Sequence, residues 1–160
     1  MTDFAGLIRA LSENKVDFIL IGGLAAAAHG AIRATKDVDV VYARTETNIA
    51  TLVSTLAPLN PYLRGAPPGL PFRWDSQTIA HGLNFTLTTS LGNIDLLGEV
   101  VGGGGYERLL PHCITVDIFD TRCLCLDLET LIHTKRAAGR PRDFEAIAEL
   151  EALREEQAGG

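Results

Sequence analysis

The chain has 160 residues, 46% of them apolar and 21% charged, with a formal net charge of −6. That length suits one domain burying about two-thirds of its unfolded surface, and the composition excludes a largely disordered chain. The acidic balance argues against a protein that coats nucleic acid through a continuous basic face, while leaving room for a local basic site.

Asp3 to Glu13 places Phe4, Leu7, Ile8 and Leu11 on one face, which predicts a helix with Thr2 as its N-cap. The acid at position 3 and the lack of an apolar stretch behind a basic start exclude a signal or transit peptide, and no stretch approaches the roughly 20 apolar residues of a membrane span. A cytosolic location is therefore expected. Lys15 and Asp17 turn the chain into a buried strand over Val16 to Ile21, which Gly22 and Gly23 end. Leu24 to His29 reads as a short helix stopped by Gly30, with His29 as a hydrogen-bonded structural histidine. A second strand follows over Asp37 to Tyr42, then a helix over Thr45 to Leu56.

Regular patterning fails between Pro58 and His81. Pro61, Pro67, Pro68 and Pro71, with Gly65 and Gly69, predict a long semi-rigid loop and exclude a central strand. At its end, Arg73 and Trp74 could stack on a base, though a lone tryptophan is more often core. Leu83 to Thr89 alternates like a strand, Gly92-Asn93 supplies a turn, and Ile94 to Leu97 resumes a strand, which together make a hairpin. Gly102 to Gly105 lacks the Gly-Lys-Ser/Thr ending of a phosphate loop and reads as a plain loop. Two more strands are expected over Cys113 to Phe119 and Thr121 to Leu126, then helices over Leu128 to Ala138 and Pro141 to Glu155. This order describes a single α+β domain over residues 1–155, with a mixed sheet, helices mainly on one face and a C-terminal helix pair. Residues 156–160 are expected to fray. Cys113, Cys123 and Cys125 read as reduced, small buried hydrophobes rather than zinc ligands.

The chemistry concentrates in LIGGLAAAAHGAIRATKDVDVV, Leu20 to Val41. On a strand, residues two apart share a side, so Asp37 and Asp39 project together while Val38 and Val40 face the core. Two neighbouring carboxylates repel unless one keeps its proton or a cation lies between them. Magnesium suits them, since it takes hard oxygen ligands and completes its shell with water and phosphate. Gly22-Gly23, between a strand and a helix, offers free N–H groups and close backbone approach to an anion. If the Asp37 strand pairs with the strand ending at Gly22, phosphates and metal ligands share one cleft. Asp95, between Ile94 and Leu96 just after a turn, is the best third carboxylate. Arg33, just before the metal strand, is well placed to touch phosphate, with Lys36 undecided.

The series GG, HG, R-x-T-K-D-V-D-V and G-N-I-D-L-L resembles the nucleotidyltransferase superfamily related to DNA polymerase β, in particular its small bacterial members, some of them toxins or antitoxins. The resemblance runs from about Asp17 to Leu150. It implies Asp37 and Asp39 as ligands of two magnesium (or manganese) ions, Asp95 as the third acid, and Gly22 and Gly23 as the phosphate-binding turn. The commonest form of that turn is Gly-Ser. Here the second residue is glycine, so a hydroxyl contact to phosphate must come from backbone N–H or another side chain. Lys135, Arg140 and Asp143 resemble a K-x-x-x-x-R-x-x-D set near the C-terminus of related proteins, which would hold the triphosphate or fix the helix pair through an Arg–Asp bridge.

The implied reaction moves a nucleoside monophosphate from ATP or another triphosphate to a hydroxyl on an unidentified protein, RNA 3′ end or small molecule. A protein partner of the toxin–antitoxin type is compatible with the resemblance. The rivals are a catalytically idle binding module or antitoxin of the same fold, and a metal-dependent phosphohydrolase.

Overall fold

The computed structural model describes residues 1–159. Helix α1 (Phe4–Glu13) leads into β1 (Phe18–Ile21), and α2 (Gly22–Ala28) starts without an intervening residue. Then come β2 (Asp37–Tyr42), α3 (Glu46–Leu56), a two-residue β3 (Tyr62–Leu63), α4 (Ser76–His81) and the hairpin β4 (Phe85–Thr89) and β5 (Gly92–Leu97). A short α5 (Tyr106–Leu109), a second hairpin of β6 (Cys113–Ile118) and β7 (Thr121–Leu126), and the pair α6 (Leu128–Ala138) and α7 (Phe144–Gly159) complete the chain.

All seven strands form one mixed sheet in the order β3-β4-β5-β2-β1-β7-β6. Beside the central β2, the non-alternating β1 is buried on both faces, as its uninterrupted apolar run requires: all four of its residues are buried. Val38 and Val40 are fully buried, while Asp37 and Asp39, which alternate with them, are only half-buried. Helices α1 and α3 pack on each other, and α6 packs on α7. The fold is therefore the expected α+β class with its C-terminal helix pair.

Several local expectations are corrected. The cap of α1 is Asp3, whose carboxylate accepts from the Gly6 N–H at 2.9 Å. Thr2 instead ties two other segments together, donating to the Lys36 carbonyl at 2.7 Å and accepting from the Asn93 N–H at 3.1 Å. Gly22 and Gly23 do not merely end β1 but form the first turn of α2. The proline-rich segment contains the edge strand β3 and is followed by α4, capped by Asp75 through the Thr78 N–H at 2.8 Å. Helix α7 continues to Gly159, through residues 156–159 expected to fray, and residue 160 lies outside the described residues.

The bland readings of His29 and Trp74 match their surroundings. His29 Nε2 lies 2.9 Å from the Leu126 carbonyl oxygen, and Trp74 donates to the Val53 carbonyl at 2.9 Å while packing on the core. Cys123 and Cys125 are buried free thiols, and desolvation pushes Cys125 up to about 12, so it stays protonated at neutral pH.

Candidate active site

Strand register assembles the acids. β2 runs antiparallel to β1, pairing Asp39 with Ile21, and parallel to β5, pairing Asp39 with Asp95 and Asp37 with Asn93. Residues opposed across a ladder sit on the same face, so a carboxylate from each of two neighbouring strands must meet. One ligand atom from each of Asp37, Asp39 and Asp95 lies within 4.8 Å of the others. All three are half-buried, and Asn93 Nδ2 fixes Asp37 by donating to its Oδ1 at 3.0 Å.

Gly22, the first residue of α2, closes the cluster. Its φ is +69°, a left-handed conformation that a side chain disfavours, and a Cβ there would overlap the Asp39 carboxylate. Gly22→Ala should therefore cost about 2–4 kcal/mol in denaturant unfolding, from backbone strain plus overpacking. A loss below about 0.5 kcal/mol would mean that Asp39 can move aside freely.

Asp39 has its carboxyl raised to about 7, chiefly by burial, then by the charge of Asp95 and a hydrogen bond with it, then by Asp37; Lys135 pulls it back down. The other two acids share a cation. Arg64, immediately after β3, places Nη2 at 2.8 Å from Asp95 Oδ1 and Nη1 at 3.6 Å from Asp37 Oδ2. The same Nη2 donates to the Leu87 carbonyl at 2.6 Å, while the buried Nε has no partner. Nothing in the local pattern around Arg64 announces this role. It arises only because β3 pairs with β4, Leu63 opposite Leu87, which carries the next residue over the acids on β5.

Three carboxylates offering hard oxygens at this spacing fit a divalent cation of the magnesium or manganese type. Because its carboxyl is raised to about 7, Asp39 adds a signature: below that pH, ligation must release its proton. Manganese affinity should rise about tenfold per pH unit below pH 7 and level off above it. Titration calorimetry in buffers of different ionisation heat would show the proton released, and a flat pH profile would contradict the Asp39 assignment.

These acids form the floor of an open cleft of about 540 Å³, which Gly22, Gly23, Lys135, Arg140 and Arg142 also line. Arg33 lies outside it, as do Lys36, Arg73 and Trp74. Arg33 borders an adjoining cavity of about 180 Å³ and lies 3.5 Å from the exposed Glu145. Buried Asp143 organises the basic wall, with its carboxylate 2.6 Å from Arg140 Nε and 3.8 Å from Lys135 Nζ. One charge pattern results: carboxylates beneath, cations along the α6 side. Arg142, which borders both spaces, is an addition that periodicity cannot reveal, because it sits in a 3-10 turn.

No family model matches the sequence, and no curated protein matches it significantly. Solved structures do. The lincosamide antibiotic adenylyltransferase LnuA, crystallised with lincomycin, superposes with a TM-score of 0.63 at 14% identity, covering 96% of this chain and 98% of that one. A candidate nucleotidyltransferase of Thermotoga maritima superposes with a TM-score of 0.52 at 14% identity, covering 100% and 97%. The chain thus has the nucleotidyltransferase fold over essentially its full length.

Proposed function

We propose that the protein is a nucleotidyltransferase, moving a nucleoside monophosphate from ATP or another nucleoside triphosphate to a hydroxyl of a separate acceptor. The observation that carries this reading is the convergence of Asp37, Asp39 and Asp95 on the floor of a cleft walled by Lys135, Arg140 and Arg142, within a nucleotidyltransferase fold.

Asp37, Asp39 and Asp95 would hold the divalent metal, magnesium or manganese by donor chemistry. Bound there, the cation would neutralise charge on the reacting oxygens and lower the acceptor hydroxyl's pKa. Gly22 and Gly23 let phosphate approach the backbone without a Cβ in the way. Lys135 and Arg140 face the triphosphate, and Asp143 keeps both from wandering. The acceptor oxygen bonds to the α-phosphorus as the bond to the α,β-bridging oxygen breaks. Pyrophosphate leaves, and the hydroxyl proton passes to a carboxylate oxygen of Asp95.

A hydroxylated small molecule is the acceptor class best supported, because the cleft floor is acidic and the net charge of −6 disfavours a long nucleic acid. The structural neighbour bound to lincomycin acts on an acceptor of that size. One observation favours the rival, a catalytically idle binding module or antitoxin: Arg64 already neutralises two of the acids. Incubation with α-labelled triphosphate, magnesium and a panel of hydroxylated acceptors separates the readings. Transfer of label with pyrophosphate release is expected. Release of orthophosphate would replace the proposal with hydrolysis, and nucleotide binding without turnover would favour the idle module.

A further inference from the structure

Position 23 poses a steric question that the reaction alone does not answer. Gly23 has no left-handed backbone to excuse the missing side chain. Its constraint is spatial: an added Cβ would lie 2.6 Å from the Thr35 Cβ and 2.7 Å from its Oγ1. Thr35 therefore fills the volume into which a side chain at 23 would project, and the two positions can hold only one side chain between them.

The hydroxyl that Thr35 brings is poorly committed. Its best protein partner is the Asp37 carbonyl at 3.2 Å, a long bond for a hydroxyl donor. Rotation about the Cβ–Oγ bond can redirect the proton without moving a heavy atom. Around it, the cavity of about 180 Å³ is bordered by Gly23, Arg33, Lys135 and Arg142, with Asp143 and Glu149 as the opposing charges. Arg33 is already paired with Glu145 and Lys135 with Asp143, whereas Arg142 has no acid within ion-pair distance among the described residues and is the cation left for an anion. The cavity opens beside the main cleft, since Gly23, Lys135, Arg142 and Asp143 border both.

We propose that Thr35 supplies the hydroxyl contact to the terminal phosphates of the nucleotide, standing in for the side chain that Gly23 lacks, with the adjoining cavity receiving the pyrophosphate end. The inference rests on the nucleotidyltransferase reading for its ligand but concerns binding, so it can be tested apart from turnover. Arg33 and Arg142 become ligands of the same phosphates from the far side of the cavity.

The test is a side-chain exchange read by titration calorimetry with Mg·ATP and with inorganic pyrophosphate. Thr35→Val keeps shape and loses the hydroxyl, and it should weaken both ligands about tenfold, the effect of one hydrogen bond to a charged group. Thr35→Ser should bind like the parent. Gly23→Ser alone should bind poorly because the two side chains collide, and Thr35→Gly alone should bind poorly because the hydroxyl is gone. The double variant Gly23→Ser, Thr35→Gly should regain most of the affinity, since the hydroxyl returns from the other side of the contact. Parental binding by Thr35→Val, or a double variant no better than Thr35→Gly, overturns the proposal. A parent that binds the triphosphate but transfers nothing loses the enzymatic reading, while the same ranking of variants by affinity still upholds or overturns the Thr35 contact. A parent that binds neither ligand overturns both.

Discussion

Asp39→Asn should lower nucleotidyl transfer by about a thousandfold while making the metal-free protein more stable above neutral pH. The two effects have one origin. Asp39 is half-buried against Asp95 and Asp37, and its carboxyl is raised to about 7, whereas an unfolded chain would ionise it near its ordinary value of 3.8. Between those values the folded state binds more protons than the unfolded one, so this group's contribution to stability is full below pH 3.8, falls as pH rises and is lost by about pH 7. Asparagine has the same shape and no charge to desolvate. Chemical denaturation of the metal-free protein at pH 5 and pH 8 should show the parent weakening with pH relative to the variant. Transfer assays at pH 8 should show the loss of activity. A variant less stable than the parent at pH 8 would mean that Asp39 contributes a hydrogen bond outweighing its electrostatic cost, and near-parental transfer would remove Asp39 from the site.

The same balance explains why the acids are legible in the sequence and their counter-ion is not. Asp37, Val38, Asp39 and Val40 alternate with period two, so the strand, its buried face and the common direction of the carboxylates follow from local geometry. Asp95 stands out because a charge between Ile94 and Leu96 breaks an apolar strand, and the register of β2 with β5 then brings it opposite Asp39. Arg64 carries no such signal. It follows a two-residue strand in a segment punctuated by proline and glycine, and its position depends on pairing with β4, whose residues come more than twenty positions later. Thr35 is hidden for a related reason. Its contact with Gly23 exists only because the loop before β2 folds back over the start of α2. Short elements with few turns to establish a period, such as α4 and α5, escape pattern reading as well.

Arg64→Leu should destabilise the metal-free protein by about 2–4 kcal/mol, and millimolar manganese should restore most of that loss. Arg64 is the only cation within ion-pair distance of Asp37 or Asp95 among the described residues. Removing it leaves two half-buried carboxylates beside Asp39 with no cation to neutralise them. Its own position is not a comfortable one, because Nε is buried without a partner, and an orphaned donor of that kind costs about 1–3 kcal/mol. A divalent ion and the guanidinium both neutralise the same oxygens, so each should weaken the other's hold. The manganese-induced rise in melting temperature should accordingly be larger in Arg64→Leu than in the parent. Arg64→Lys should fall between them, since one ammonium cannot bridge both acids as the guanidinium fork does. Trypsin supplies an independent reading: if metal displaces the side chain, cleavage after Arg64 should accelerate in the parent when manganese is added. An Arg64→Leu protein as stable as the parent without metal, or with the same manganese response, would show that the arginine is a bystander and that the three acids tolerate one another unaided.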